Sequence, residues 1–128
     1  MRLSIAALAV AGALIATAAY ADDPMANTYA NTISTKSQKT GATATLLFNQ
    51  DGTYTASATG ADGKPVTYNG QWTLKDGGAT ICLAPQLPPN TPGSAPSCSP
   101  LQKHAVGDSW SVTNDQGETF AVTLTAGR

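Results

Sequence analysis

The chain has 128 residues, 41% of them hydrophobic, 12% charged and 6% aromatic, which suits one small domain and excludes a two-domain enzyme. Seven Lys and Arg against eight Asp and Glu give a net charge of −1, with neither a basic face for nucleic acid nor a run of one sign.

Residues 1–21 begin with Met1 and Arg2, continue through an Ala/Leu/Ile/Val-rich run from Leu3 to Ala19, and end in Ala19-Tyr20-Ala21 before Asp22-Asp23-Pro24. A positive start, an apolar run and small residues at the cut site predict a signal peptide removed before Asp22. An uncleaved membrane anchor is the alternative, but the alanines make the run only weakly apolar. No cysteine lies near the site to carry a lipid. The expected mature protein is residues 22–128, with six basic and eight acidic residues once Arg2 is lost. It is expected to be a soluble monomer of the periplasm or the cell exterior, with no membrane or nucleic-acid partner.

Residues 22–42 are rich in Asn, Thr, Ser and Lys, with Tyr29 and Ile33 as their large apolar groups, and read as a weak first strand or a partly ordered arm. From Thr43 the pattern becomes period two. Leu46 and Phe48 alternate up to the turn Asn49-Gln50-Asp51-Gly52, and Tyr54, Ala56 and Ala58 alternate onward to Gly60. After a second turn at Ala61-Asp62-Gly63-Lys64, Val66, Tyr68, Gly70, Trp72 and Leu74 make the clearest strand. Asp76-Gly77-Gly78 turns the chain into Ala79, Ile81 and Leu83, with Cys82 facing the opposite side.

Six of the eight prolines fall between Pro85 and Pro100. Missing N–H donors and fixed φ predict a long extended loop without helix or ladder. Cys82 and Cys98, the only cysteines, predict one disulfide closing its base, worth about 3 kcal/mol on the chain-entropy account. Order resumes at Gly107-Asp108: Trp110 and Val112 alternate to Asn114-Asp115-Gln116-Gly117, and Phe120, Val122 and Leu124 alternate toward Gly127-Arg128. No window after the leader has a 3.6-residue apolar repeat. The expected fold is an all-β antiparallel meander barrel of about seven to eight strands with one disulfide, and a two-sheet sandwich is the alternative.

No motif fixes an activity. His104 with Asp108 and Ser109 suggests a hydrolase triad only in composition, since no G-x-S-x-G elbow accompanies it. Asp51, Asp62, Asp76 and Asp115 are turn residues without calcium-loop spacing. No metal or cofactor is expected, and the chain reads as a non-enzyme. Alternation points Tyr54, Tyr68, Trp72 and Trp110 inward among Ala56, Ala58 and Gly70; the rings filling the space beside those small residues is the preferred reading, and a cavity walled by the four rings for a small apolar ligand is the alternative. For a protein partner, the tethered Pro85–Pro100 loop is the better surface.

Leu47-Phe48-Asn49-Gln50-Asp51-Gly52-Thr53-Tyr54, then Gly70-Gln71-Trp72, then a Cys about ten residues on, resembles the DGTY…GxW…C pattern of lipocalin-like small exported barrels. With Cys98 and the tail from Val106-Gly107-Asp108-Ser109-Trp110 to Ala126-Gly127-Arg128, the mature chain is similar to a group of uncharacterised short exported alphaproteobacterial proteins. That resemblance implies a compartment and a fold, and no activity. Gly70-Gln71-Trp72-Thr73-Leu74 followed by Cys82, with Trp110 and Gly117 later, also resembles the periplasmic metalloprotease inhibitors over about half the chain. In that family the GxW motif lies close to the mature N-terminus, whereas here almost fifty residues precede it. The expected function is that of an exported, non-catalytic binding module for a protein partner or a small apolar ligand, with a periplasmic protease inhibitor as an alternative and a hydrolytic enzyme as the remaining one.

Overall fold

Short apolar/polar alternations punctuated by glycine turns can bury only one face each, so they stabilise one another by pairing edge to edge. The computed structural model describes residues 23–59, 63–91 and 93–128. Among the described residues the chain forms eight strands: β1 (Thr32–Ser37), β2 (Thr43–Phe48), β3 (Thr53–Thr59), β4 (Pro65–Lys75), β5 (Thr80–Pro85), β6 (Ser97–Pro100), β7 (Ser109–Thr113) and β8 (Thr119–Thr125). They make one sheet in the order β6-β5-β4-β3-β2-β1-β8-β7, with every neighbouring pair antiparallel. The sheet curls until its two edges, β6 and β7, face each other. The fold is thus a nearly closed meander barrel rather than a sandwich, and its single seam lies between β6 and β7.

Three hydrogen bonds bridge that seam at one end. Asp115 N–H donates to the Cys98 carbonyl at 2.9 Å, and Cys98 N–H donates to Asp115 Oδ1 at 3.0 Å. Gln116 Nε2 donates to the Pro96 carbonyl at 2.9 Å. The disulfide joins Cys82 of β5 to Cys98 of β6, which are partners in the strand register.

The core follows the alternation. Leu46 and Phe48 of β2, Tyr54 and Ala56 of β3, Trp72 of β4, and Val122 and Leu124 of β8 are buried. Phe48 lies 5.6 Å from Tyr54 and 6.3 Å from Trp72 between ring centroids, and Trp72 lies 6.1 Å from Tyr29. Such contacts add about 0.5–1.5 kcal/mol per pair beyond burial. The Trp72 indole N–H is satisfied by the carbonyls of Asn49, in the β2–β3 turn, and Thr53, at the start of β3. Gly70 stands opposite Tyr54 in the register, and the Tyr54 ring lies over it so closely that a Cβ there would overlap the ring.

Two sequence expectations need correction. Of the two readings of the 22–42 segment the first strand holds and the partly ordered arm does not: β1 is an interior strand, paired to β2 on one side and β8 on the other. Ahead of it, residues 23–31 form consecutive turns that seat Met25, 2% exposed, in the core. Asparagines take the place of a regular ladder there: Asn27 Nδ2 donates to the His104 carbonyl, and Asn31 Nδ2 to the Asn27 carbonyl. The second correction concerns Pro85–Pro100, where β6 does form a ladder with β5. Proline is tolerated because β6 is an edge strand, where an absent N–H need not interrupt the sheet. The disulfide is therefore a cross-strand bridge within a hairpin, and among the described residues the connecting loop runs over 86–91 and 93–96, with a turn at 88–91.

The turn at 61–64 appears only in part, since residues 60–62 lie outside the described residues; Gly63 has a φ of 80°. The expected leader 1–21 and the cut before Asp22 also lie outside them. Among the described residues no helix is long and apolar enough to cross a membrane.

Candidate functional site

The barrel interior is filled on one side and hollow on the other. On the filled side Tyr54, Tyr68 and Trp72, carried by β3 and β4, belong to the packed aromatic cluster. The space that Gly70 leaves is occupied by the Tyr54 ring, and Tyr68 stands opposite Ala56. Burial pushes the Tyr54 and Tyr68 hydroxyls above the ordinary phenol range. Tyr29, at the edge of the cluster, is pushed up to about 12, first by burial and then by the Asp23 carboxylate that its hydroxyl contacts at 3.3 Å.

Across the barrel a cavity of about 120 Å³ remains. Ile81 and Leu83 of β5 face Trp110 and Val112 of β7 across it, and Met25 and Leu124 border it as well. Few polar groups reach it, among them Thr28, Ser99, Gln102 and His104. Every buried side-chain nitrogen or oxygen among the described residues has a hydrogen-bond partner. Of the four aromatic residues expected to wall a ligand site, Trp110 therefore borders the cavity, while Tyr54, Tyr68 and Trp72 pack the opposite side.

The 101–108 segment linking β6 to β7 covers this cavity. From it Leu101, Gln102 and His104 reach the lining, and the His104 ring stacks on Trp110 at 3.5 Å between centroids and 6° between planes. His104 Nδ1 is 3.7 Å from Asp108 Oδ2, which accepts the Ala105 N–H at 2.9 Å. The Ser109 hydroxyl is instead hydrogen-bonded to Thr123 across the β7–β8 pair. The three residues of the imagined triad are thus adjacent in sequence without sharing one hydrogen-bonded chain. No group of three or more His, Cys, Asp or Glu side chains capable of holding a metal ion occurs among the described residues.

Outside the barrel wall a second, open depression of about 230 Å³ follows the seam, bordered by Thr80, Cys98, Ser99, Pro100, Thr113, Asn114 and Asp115. Ser99 and Pro100 border both spaces.

Sequence reasoning missed Met25, His104 as a stacking partner, and Arg128. The Arg128 guanidinium donates to the Tyr29 and Phe48 carbonyls and to Asn49 Oδ1, tying the turns at 23–31 to the β2–β3 turn. Met25 had a local signal, a large apolar side chain in a polar stretch, whereas the other two contacts join segments far apart in sequence.

The fold and the cavity define a class, a small disulfide-bridged β-barrel with a partly hollow, mainly apolar interior. No family model, curated protein or solved structure matches the chain.

Proposed function

We propose that the protein is an exported, non-catalytic binding module that holds a small apolar ligand inside its barrel. The interior cavity carries this reading: about 120 Å³ bordered by Ile81, Leu83, Trp110, Val112 and Leu124. A dry apolar cavity of about 150 Å³ in a protein core holds benzene, so this one suits a hydrocarbon group of similar or slightly smaller size. The Cys82–Cys98 bridge supports export, because disulfides persist in oxidising compartments. The signal-peptide pattern of residues 1–21 supports it too.

Titration with benzene tests the proposal. Saturable binding should change Trp fluorescence, because Trp110 lines the cavity, and should raise the unfolding temperature with ligand concentration. Filling the space with Val112→Phe should remove the response while the barrel still folds. A wild-type protein that shows neither effect up to the solubility of benzene contradicts the reading.

A further inference from the structure

We infer that the cavity holds a polar anchor, the Thr28 hydroxyl, and that its ligand is a small neutral alcohol, with about five carbons against the apolar wall and one hydroxyl paired with Thr28. This deepens the binding reading above and rests on it.

Thr28 lies in the turns of residues 23–31, borders the cavity and is only 8% exposed. Its backbone is spent locally: the N–H donates to the Met25 carbonyl, and the carbonyl accepts the Asn31 N–H. The side-chain amides of Asn27 and Asn31 donate to the His104 and Asn27 carbonyls. The Thr28 hydroxyl makes no hydrogen bond with any described residue. In a turn, a Ser or Thr hydroxyl commonly bonds back to nearby backbone, as Ser37 does with the Lys39 and Thr40 N–H groups. Thr28 does not. Every fully enclosed side-chain oxygen among the described residues is paired, so the Thr28 oxygen keeps some accessible surface. In a residue more than nine-tenths buried, that surface opens on the cavity it borders.

A hydrocarbon alone would take water from this hydroxyl and give it no partner, which costs binding energy. A ligand hydroxyl both donates and accepts, and so meets Thr28 in either sense. Thr35 and Ser99 also border the cavity with hydroxyls that have no partner among the described residues. Both residues are less enclosed than Thr28, where an unpaired group is the more costly. No Asp, Glu, Lys or Arg among the described residues borders the cavity, which disfavours a charged head. His104, the titratable side chain that does border it, is stacked on Trp110.

The test compares cyclopentanol, cyclopentylammonium and benzene, which have equal numbers of heavy atoms, at pH 7. Cyclopentanol should bind the wild type saturably and shift the Trp110 indole resonance, and its carbinol proton should show a nuclear Overhauser effect to the Thr28 methyl. Thr28→Val keeps the side-chain shape and removes the hydroxyl. It should weaken cyclopentanol about fivefold, the range of one net hydrogen bond, while benzene binds as tightly or tighter. Thr28→Ser, which keeps a hydroxyl, should stay within about twofold of the wild type for cyclopentanol. Tighter binding of cyclopentylammonium than of cyclopentanol overturns the inference, as does a carbinol proton placed beside Thr35 or Ser99 instead. So does a folded Thr28→Val variant that weakens both neutral probes alike or neither, the latter being the result if water alone meets the hydroxyl. Should Thr28→Val not fold, the position of the carbinol proton in the wild type decides. If benzene binds and cyclopentanol does not, only this inference falls. If neither binds, the binding reading falls with it.

Discussion

Gly70 shows how much one absent side chain decides. It sits in β4 opposite Tyr54, and the Tyr54 ring covers the place where a Cβ would project. The contact packs an aromatic ring onto bare backbone, which gives a glycine inside a strand a packing reason. Gly70→Ala must push the Tyr54 ring, 2% exposed, into the neighbouring Phe48 and Trp72 cluster. Overpacking of this kind costs about 1–3 kcal/mol, and urea denaturation should show that loss in the variant. An unchanged midpoint means that Tyr54 does not occupy the space above Gly70. Ala56 and Gly70 were legible in the sequence as small residues among large rings. What alternation could not tell was whether the gap is empty or filled, because period two gives a side chain's face and not its rotamer.

Among the elements, the strands with regular alternation were the readable ones. β3, β4 and β8 alternate Tyr54/Ala56, Gly70/Trp72 and Val122/Leu124 toward the core, as their spacing predicts. β1 and β6 were hard to read for opposite reasons. β1 is polar Thr and Ser around one Ile, and its place between β2 and β8 rests on two backbone ladders rather than on an apolar face. β6 is four residues ending in proline, and the partner that makes it a strand lies across the disulfide loop. The bridge therefore holds an element with little apolar surface of its own. Replacing both Cys82 and Cys98 with Ser should cost about 3 kcal/mol of unfolding free energy. It should also speed amide exchange at Ser99 and Leu101, whose N–H groups pair with β5. A double variant with wild-type stability and unchanged exchange at these two amides contradicts this role.

At the scale of the whole molecule, the barrel is asymmetric. The aromatic cluster on β3 and β4 packs against Phe48, Tyr29 and Met25, and the hollow beneath the 101–108 segment is lined from the other six strands, with Phe48 and Met25 as the wall between the two. A barrel of eight strands encloses an interior that side chains can just fill, or that keeps room for one small ligand. Here Tyr54, Tyr68 and Trp72 fill the β3–β4 side, and the hollow lies where Ile81, Leu83 and Val112 meet Trp110 and Phe48. The meander and the disulfide could be anticipated from turns, alternation and cysteine count. The seam could not, because it depends on which residues of β6 and β7 turn their backbones outward. Whether the interior holds a mainly apolar hollow able to take a ligand is tested most directly by a crystal pressurised with xenon, since apolar cavities bind xenon. A xenon peak should appear between Ile81, Trp110 and Leu124, whereas an interior closed by side chains with no bound xenon would contradict a hollow barrel.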